Sequence, residues 1–275
     1  RHIIHMEVGQ PATLAPLGAR NALRDSLNAT AMGYTVALGL PELRAKIADL
    51  YGEWYDVDLD SNRVIVTSGS SAGFLLSFTS LFDAGERVGI GAPGYPSYRQ
   101  ILKALDLTAV NIPTSAANKF QPNPTDLADL SLNGLLVASP SNPTGTMLSR
   151  GELGALIEAT ENSEAAFISD EIYHGIEYET KAVSALEITN NCYVINSFSK
   201  YFSMTGWRVG WMVVPENHIR QVERLAQNMF ICAPHASQVV ALAAMECREE
   251  LIAYKAVYEG IVLPHLSVLG AAVRG

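Results

Sequence analysis

The stretch Asn196-Ser197-Phe198-Ser199-Lys200-Tyr201-Phe202-Ser203-Met204-Thr205-Gly206-Trp207-Arg208-Val209-Gly210 decides how this chain is read. An apolar, strand-like run from Cys192 to Ile195 leads into it, and a second from Val209 to Val214 leads out. A lysine at the edge of a buried sheet is poorly solvated. Its ammonium form is disfavoured, and its amine becomes available to an aldehyde. The hydroxyls around Lys200 and the guanidinium of Arg208 suit a phosphate. An aldehyde carrying a phosphate describes pyridoxal phosphate. By itself the stretch also reads as a surface lysine in a polar loop, so the rest of the chain has to decide.

Working outward, strands and helices alternate. A proline near the first turn opens a helix from Leu40 to about Trp54. Arg63 to Thr67 is a β-branched strand, broken by Ser68-Gly69-Ser70-Ser71, and a helical run follows to about Leu81. Arg87 to Gly91 is strand, Pro93-Gly94-Tyr95-Pro96 a turn, and Ser97 to Leu105 helix. Strands at Thr108 to Ile112, Gly134 to Ser139 and Ala165 to Ser169 follow, with a helix at Arg150 to Thr160. Beyond the lysine, Glu216 to Phe230 and Ser237 to Glu249 read as helices, and a last helical run extends to about His265. Near-continuous apolar strands separated by helices predict an α/β fold, a mostly parallel sheet covered on both faces.

The 275 residues suffice for one large or two modest domains, and 48% hydrophobic content allows a sizeable core. A formal charge of -9 argues against nucleic acid or an anionic membrane as partner. Cys192, Cys232 and Cys247 have no metal-type spacing, and a reduced, cytoplasmic setting is expected. His2-x-x-His5 lacks a carboxylate or thiol partner pattern and reads as the edge of an N-terminal strand, so no metal is expected.

In open α/β sheets, ligands sit beyond the carboxyl ends of the strands. The polar residues of this chain cluster there. Ser70 and Ser71 open a helix whose free N–H groups favour an anion. Asp170, after the strand ending at Ser169, can keep a proton on a pyridine nitrogen. Tyr173 and Asn142 can hydrogen-bond a phenolic oxygen, and Tyr95 can stack on a ring. Singly, Asp170-Glu171 would be a helix N-cap, Arg208 a surface arginine, and Tyr95 and Tyr34 packing residues. For Lys200, Asp170 and Asn142 the joint pattern outweighs that reading.

With these residues in view, the chain resembles the class I/II aminotransferases, fold-type I pyridoxal-phosphate enzymes, near the aspartate and aromatic branch. The resemblance rests on Gly9-Gln10-Pro11, Tyr34, Gly69-Ser70-Ser71, Pro93-Gly94-Tyr95, Asn142-Pro143-Thr144-Gly145, Asp170-Glu171-Ile172-Tyr173 and Ser197 to Gly210, in family order. It implies that Lys200 forms the Schiff base with pyridoxal 5'-phosphate and serves as base and acid, with Asp170 on the ring nitrogen. It places Asn142 and Tyr173 at the ring oxygen and Ser70, Ser71, Ser197 and Arg208 at the phosphate. Tyr95 would stack on the ring, and Tyr34 would reach the phosphate of a neighbouring subunit in a homodimer. Gly9 and Asn142 would lie at the substrate. Amino transfer between an amino acid and a 2-oxo acid by a ping-pong route is then expected.

The resemblance also implies a division into an arm and part of a small domain (1–32), a large cofactor-binding domain (33–248) and the start of an incomplete small domain (249–275). The family's chain is usually longer at both ends, and its arginine for the substrate carboxylate would fall beyond Gly275. Arg274 matches no motif. Two alternatives keep the cofactor and change the outcome: a lyase or synthase on the same fold, or a cofactor-binding sensor without catalysis. Two further motifs read as coincidence. Gly69-Ser70-Ser71-Ala72-Gly73 fits a serine-hydrolase elbow, with Asp170 and His235 in the right order, but no glycine-rich oxyanion loop precedes it. Gly89-Ile90-Gly91-Ala92-Pro93-Gly94 fits G-x-G-x-x-G, but two of its glycines fall within a strand.

Overall fold

The structure, a computed structural model, describes residues 9–257 and 259. Seven strands form one sheet in the order β1-β7-β6-β5-β4-β2-β3: β1 (Val64–Thr67), β2 (Arg87–Ala92), β3 (Thr108–Pro113), β4 (Gly134–Ala138), β5 (Ala166–Asp170), β6 (Tyr193–Ser197) and β7 (Gly210–Val213). Pairings β2–β3, β2–β4, β4–β5 and β5–β6 are parallel. β7 is antiparallel to both β1 and β6, because the segment 198–209 joining it to β6 turns back without an α-helical crossover.

The helices are α1 (Leu17–Ala29), α2 (Pro41–Tyr55), α3 (Ser70–Leu81), α4 (Pro96–Ala104), α5 (Arg150–Asn162), α6 (Ile219–Phe230) and α7 (His235–Ala244). Their boundaries follow local chemistry. Pro41 sits in the first turn of α2, whose end is marked by Asp56 at φ 58, its N–H reaching Gly52 O. Ser149 and Glu152 close a capping box on α5. The helix expected to run from Ser237 to Glu249 is instead two: α7 ends at Ala244, a turn follows, and helix resumes at 248–257. The remainder of that last helical run, the His2-x-x-His5 pair and Arg274 lie outside the described residues.

Strand residues alternate between two cores. Val64, Val66, Leu135, Val137, Phe167, Val194, Trp211 and Val213 join α2, α5 and α7 on one face. Ile65, Leu136, Ile168, Tyr193, Ile195 and Met212 join α3, α4 and α6 on the other. Burial on both faces is what the continuous apolar runs encode. Gly89 and Gly91 lie in β2, and a Cβ on Gly89 would come within 2.7 Å of Leu132, so Gly89 serves packing.

The α2 face should be sensitive to volume. Ile47 is fully buried in it. Ile47→Ala should destabilise the protein by about 2–5 kcal/mol, read as a lower urea midpoint at unchanged slope.

Candidate active site

The carboxyl ends of β1, β4, β5 and β6 share one rim with the amino end of the antiparallel β7. Reversing β7 is what carries Arg208, which precedes it, to the same edge as Lys200, Asp170, Asn142 and the start of α3.

Asp170 closes β5 and is 3% exposed. Its Oδ1 accepts from the Ile172 N–H at 3.1 Å, and its Oδ2 accepts from the Tyr98 hydroxyl. Burial lifts its carboxyl from 3.8 to about 6, against the pull of those two bonds. Tyr98, on α4, was not singled out by the sequence; its only signal is a position one helical turn beyond Tyr95. The two rings meet edge to face at 5.4 Å.

Lys200 follows β6 in a turn. Its ammonium is destabilised by burial first and by Arg208 second, with Asp170 opposing, so its pKa lies below the usual lysine value. Nζ donates to the Gly9 carbonyl and lies 5.7 Å from the centre of the Tyr173 ring. Thr13 and Ser203 share a hydrogen bond of 2.6 Å, so the arm touches the lysine turn twice. The Asn142 amide donates to the Tyr173 hydroxyl at 3.2 Å, bringing together the pair expected at one ring oxygen. Burial, then Asp170, raises the Tyr173 pKa.

Gly69 caps α3 with φ 77 and no side-chain cap, leaving the first N–H groups of a twelve-residue helix open at the rim. The Arg208 guanidinium lies directly over Gly69, where any Cβ would run into it, and its Nη1 donates to Thr205 O at 2.8 Å. A Cβ on Gly210 would meet Asn196 O at 2.8 Å and Ser70 N at 3.1 Å. This cradle of bare backbone, helix terminus and guanidinium fits a phosphate, and Lys200 and Asp170 on the same rim fit the aldehyde and ring nitrogen of pyridoxal phosphate.

The remaining expected residues are placed less directly. Ser70 is half-buried and Ser71 exposed at the start of α3. Ser197 is buried at the end of β6, its Oγ 2.8 Å from Ser199 Oγ and 3.3 Å from the Val209 carbonyl oxygen. Tyr95 is exposed beside Tyr98, and Tyr34 is 82% exposed. The hydrolase reading finds no triad among the described residues: His235 Nδ1 pairs with Gly33 O, and Asp170 is held as above. No group of three or more His, Cys, Asp or Glu among the described residues could hold a metal.

Residues 1–257 match the family model described as aminotransferase class I and II. The chain is 44% identical over 246 residues to a valine–pyruvate aminotransferase of Mycobacterium tuberculosis, covering 88% of this chain and 63% of the relative. It is 34% identical to a (5-formylfuran-3-yl)methyl phosphate transaminase of Methanocaldococcus jannaschii, covering 91% of this chain and 66% of the relative. A crystal structure of a provisionally assigned aminotransferase from Silicibacter pomeroyi is 67% identical and superposes with a TM-score of 0.88, over 94% of this chain and 67% of that one. The chain thus spans a little under two thirds of the length of these curated relatives.

Two measurements check the site. In cofactor-free protein the Asp170 carboxyl should titrate near 6 by carbon-13 NMR, and Tyr98→Phe, which removes a bond that favours the charged form, should move the midpoint higher. Because the folded pKa is raised, Asp170 should make the protein less stable as pH climbs from about 4 to about 6, and no further above that. Separately, Gly69→Ala should weaken pyridoxal phosphate by about tenfold or more, the weight of one charge-assisted bond, while leaving the phosphate-free vitamer nearly unaffected in calorimetric titrations.

Proposed function

Since this chain belongs to the class I and II aminotransferase family, we propose that it moves an amino group between an amino acid and a 2-oxo acid, with pyridoxal 5'-phosphate as cofactor. The observation that carries the reading is the convergence on one rim of a half-buried lysine, a buried aspartate, the Asn142–Tyr173 pair and an arginine laid over Gly69.

Lys200 Nζ would meet the cofactor's aldehyde carbon, and Asp170 the ring nitrogen. Asn142 and Tyr173 would hold the ring oxygen, Tyr95 the ring face, and Ser70, Ser71, Ser197 and Arg208 the phosphate. When bound, pyridoxal phosphate supplies an electrophilic carbon for the amino group and a ring that draws electrons from the substrate α-carbon. The protein's part is acid–base work and positioning. Lys200, whose ammonium burial disfavours, would take the proton from the substrate α-carbon and later return one. Asp170, its charge costly in that site, would be the group to hold a proton toward the ring nitrogen. Gly9, whose carbonyl accepts from Lys200, places the arm beside the substrate.

The same reading extends to assembly and setting. The Tyr34 loop is pinned by His235 Nδ1 on Gly33 O at 2.8 Å and by Gln238 Nε2 on Thr35 at 3.0 Å. That leaves the Tyr34 ring facing outward, as a residue serving a second copy in a homodimer would. Residues 33–248 form the cofactor-binding domain. The arm at 1–32 belongs with 249–275, in keeping with the Leu17 N–H bond to Glu250 at 2.9 Å. The three free cysteines suit a reducing cytoplasm. No helix among the described residues is long and apolar enough to cross a membrane.

Lys200→Ala should lose the visible absorbance that wild type gains with pyridoxal phosphate and cut turnover by about 10⁴-fold. Unchanged amino transfer in that variant would overturn the assignment. An amino acid alone should release one equivalent of 2-oxo acid, further release waiting on an acceptor. Continuous release without an acceptor would mean a lyase, and none at all a sensor.

A further inference from the structure

Glu171 and His174 flank the site residues Asp170 and Tyr173 in sequence, yet both are buried on the other side of the rim, at 0% and 1% exposure. Ser169 and Glu171 face the α2 core, because strand residues alternate and Ile168 and Asp170 face α3 and α4. Glu171 Oε1 accepts from the Ala185 N–H at 2.8 Å and from Ser169 Oγ at 3.1 Å, and Oε2 accepts from Ser184 Oγ at 2.9 Å. Burial still raises its pKa, with His174 the first opposing influence. Nothing in the chemistry proposed above uses this carboxylate.

What it faces is the His174 ring, whose Nδ1 lies 3.7 Å from Glu171 Oε2 and 2.5 Å from the Tyr55 hydroxyl. The other ring nitrogen, Nε2, lies 2.8 Å from the Ser139 carbonyl. A carbonyl only accepts, so Nε2 carries a proton. Ser139 is the first residue after β4 and begins the loop that carries Asn142. Its N–H reaches the Asp170 carbonyl at 3.3 Å and its Oγ accepts from the Leu148 N–H at 2.9 Å. Beside that backbone bond, two side-chain bonds tie the loops after β4 and β5. Below the rim His174 holds Ser139, and at the rim Asn142 meets Tyr173. The lower tie is fully buried and directional. The upper one is half-buried and too weak to set a loop position by itself.

We propose that His174, oriented by Glu171 and Tyr55, is a positioning residue whose Nε2–H bond to the Ser139 carbonyl sets where Asn142 meets Tyr173, and so shapes the ring-oxygen subsite. This rests on the reading of Asn142 and Tyr173 given under the proposed function. A merely structural histidine would act on folding and leave Asn142 out of account.

The test compares His174→Gln, which keeps an N–H where Nε2 stood, with His174→Asn, which keeps one only near Nδ1 and cannot reach Ser139. Both are made with and without Asn142→Ala, in purified protein that melts cooperatively without cofactor. The readout is the dissociation constant of pyridoxal phosphate. The Gln variant should bind within about threefold of wild type and the Asn variant about tenfold more weakly, the gap falling below about threefold when Asn142 is absent. Equal binding by Gln and Asn variants, or a gap that persists without Asn142, overturns the proposal. Tyr55→Phe, which releases Nδ1 without touching either loop, should show the same dependence on Asn142 and replaces the Asn variant if that does not fold. Wild type that binds no pyridoxal phosphate would bring down the functional reading first, and this inference with it.

Discussion

A carboxylate with almost no access to water and only two hydrogen bonds of its own is the constraint on which this rim depends. Burial of an anion is costly, and Tyr98 and the Ile172 N–H recover only part of the cost, which is why Asp170 is pushed up to about 6. Near neutral pH the group is still mostly charged, and it is short of a partner. The ammonium of Lys200 is disfavoured first by its own burial and then by the charge of Arg208. The site therefore holds a carboxylate that seeks a proton and a lysine that readily gives one up. A ring nitrogen and an aldehyde carbon, presented by one molecule, would satisfy both.

Sheet topology turns this local tension into a site. Four strands deliver their carboxyl ends to the rim by ordinary parallel crossovers. β7 reverses direction, and only for that reason does Arg208 stand over Gly69 and not at the far edge of the sheet. The absence of a side chain at Gly69 is equally necessary, since the guanidinium occupies the space that a Cβ would take. Alternation at the end of β5 then turns two neighbouring acids to opposite faces of the sheet. Asp170 joins Tyr98 above α4, while Glu171 joins Ser184 and His174 beneath the rim.

Relatives whose names differ in substrate align with this chain across about nine tenths of its length. That is expected if the rim serves the cofactor's chemistry and the choice of amino acid is made by groups placed around it. The cofactor's demands concern charge and proton location, and these are written into strand ends that a large core holds rigid.

Much of this was legible in the chain itself. Near-continuous apolar runs, bounded by glycine, proline and serine, locate the seven strands to within a residue or two, because burial on both faces suits such a run to the middle of a sheet. Lys200, Asp170 and Asn142 stand out jointly, because several polar groups suited to one ligand gather where buried strands end, although each alone would read as an ordinary loop or cap residue. Tyr98 does not stand out, since a tyrosine on an amphipathic helix reads as packing until the fold sets it against Asp170. His174 is silent for the same reason: its partners, Ser139 and Tyr55, are distant in sequence, and only the packed sheet brings them to one ring. Sequence determines which residues carry charge and hydrogen-bonding capacity and how each strand alternates. Tertiary structure alone decides which of those groups share a desolvated space, because desolvation depends on neighbours that the order of residues does not name.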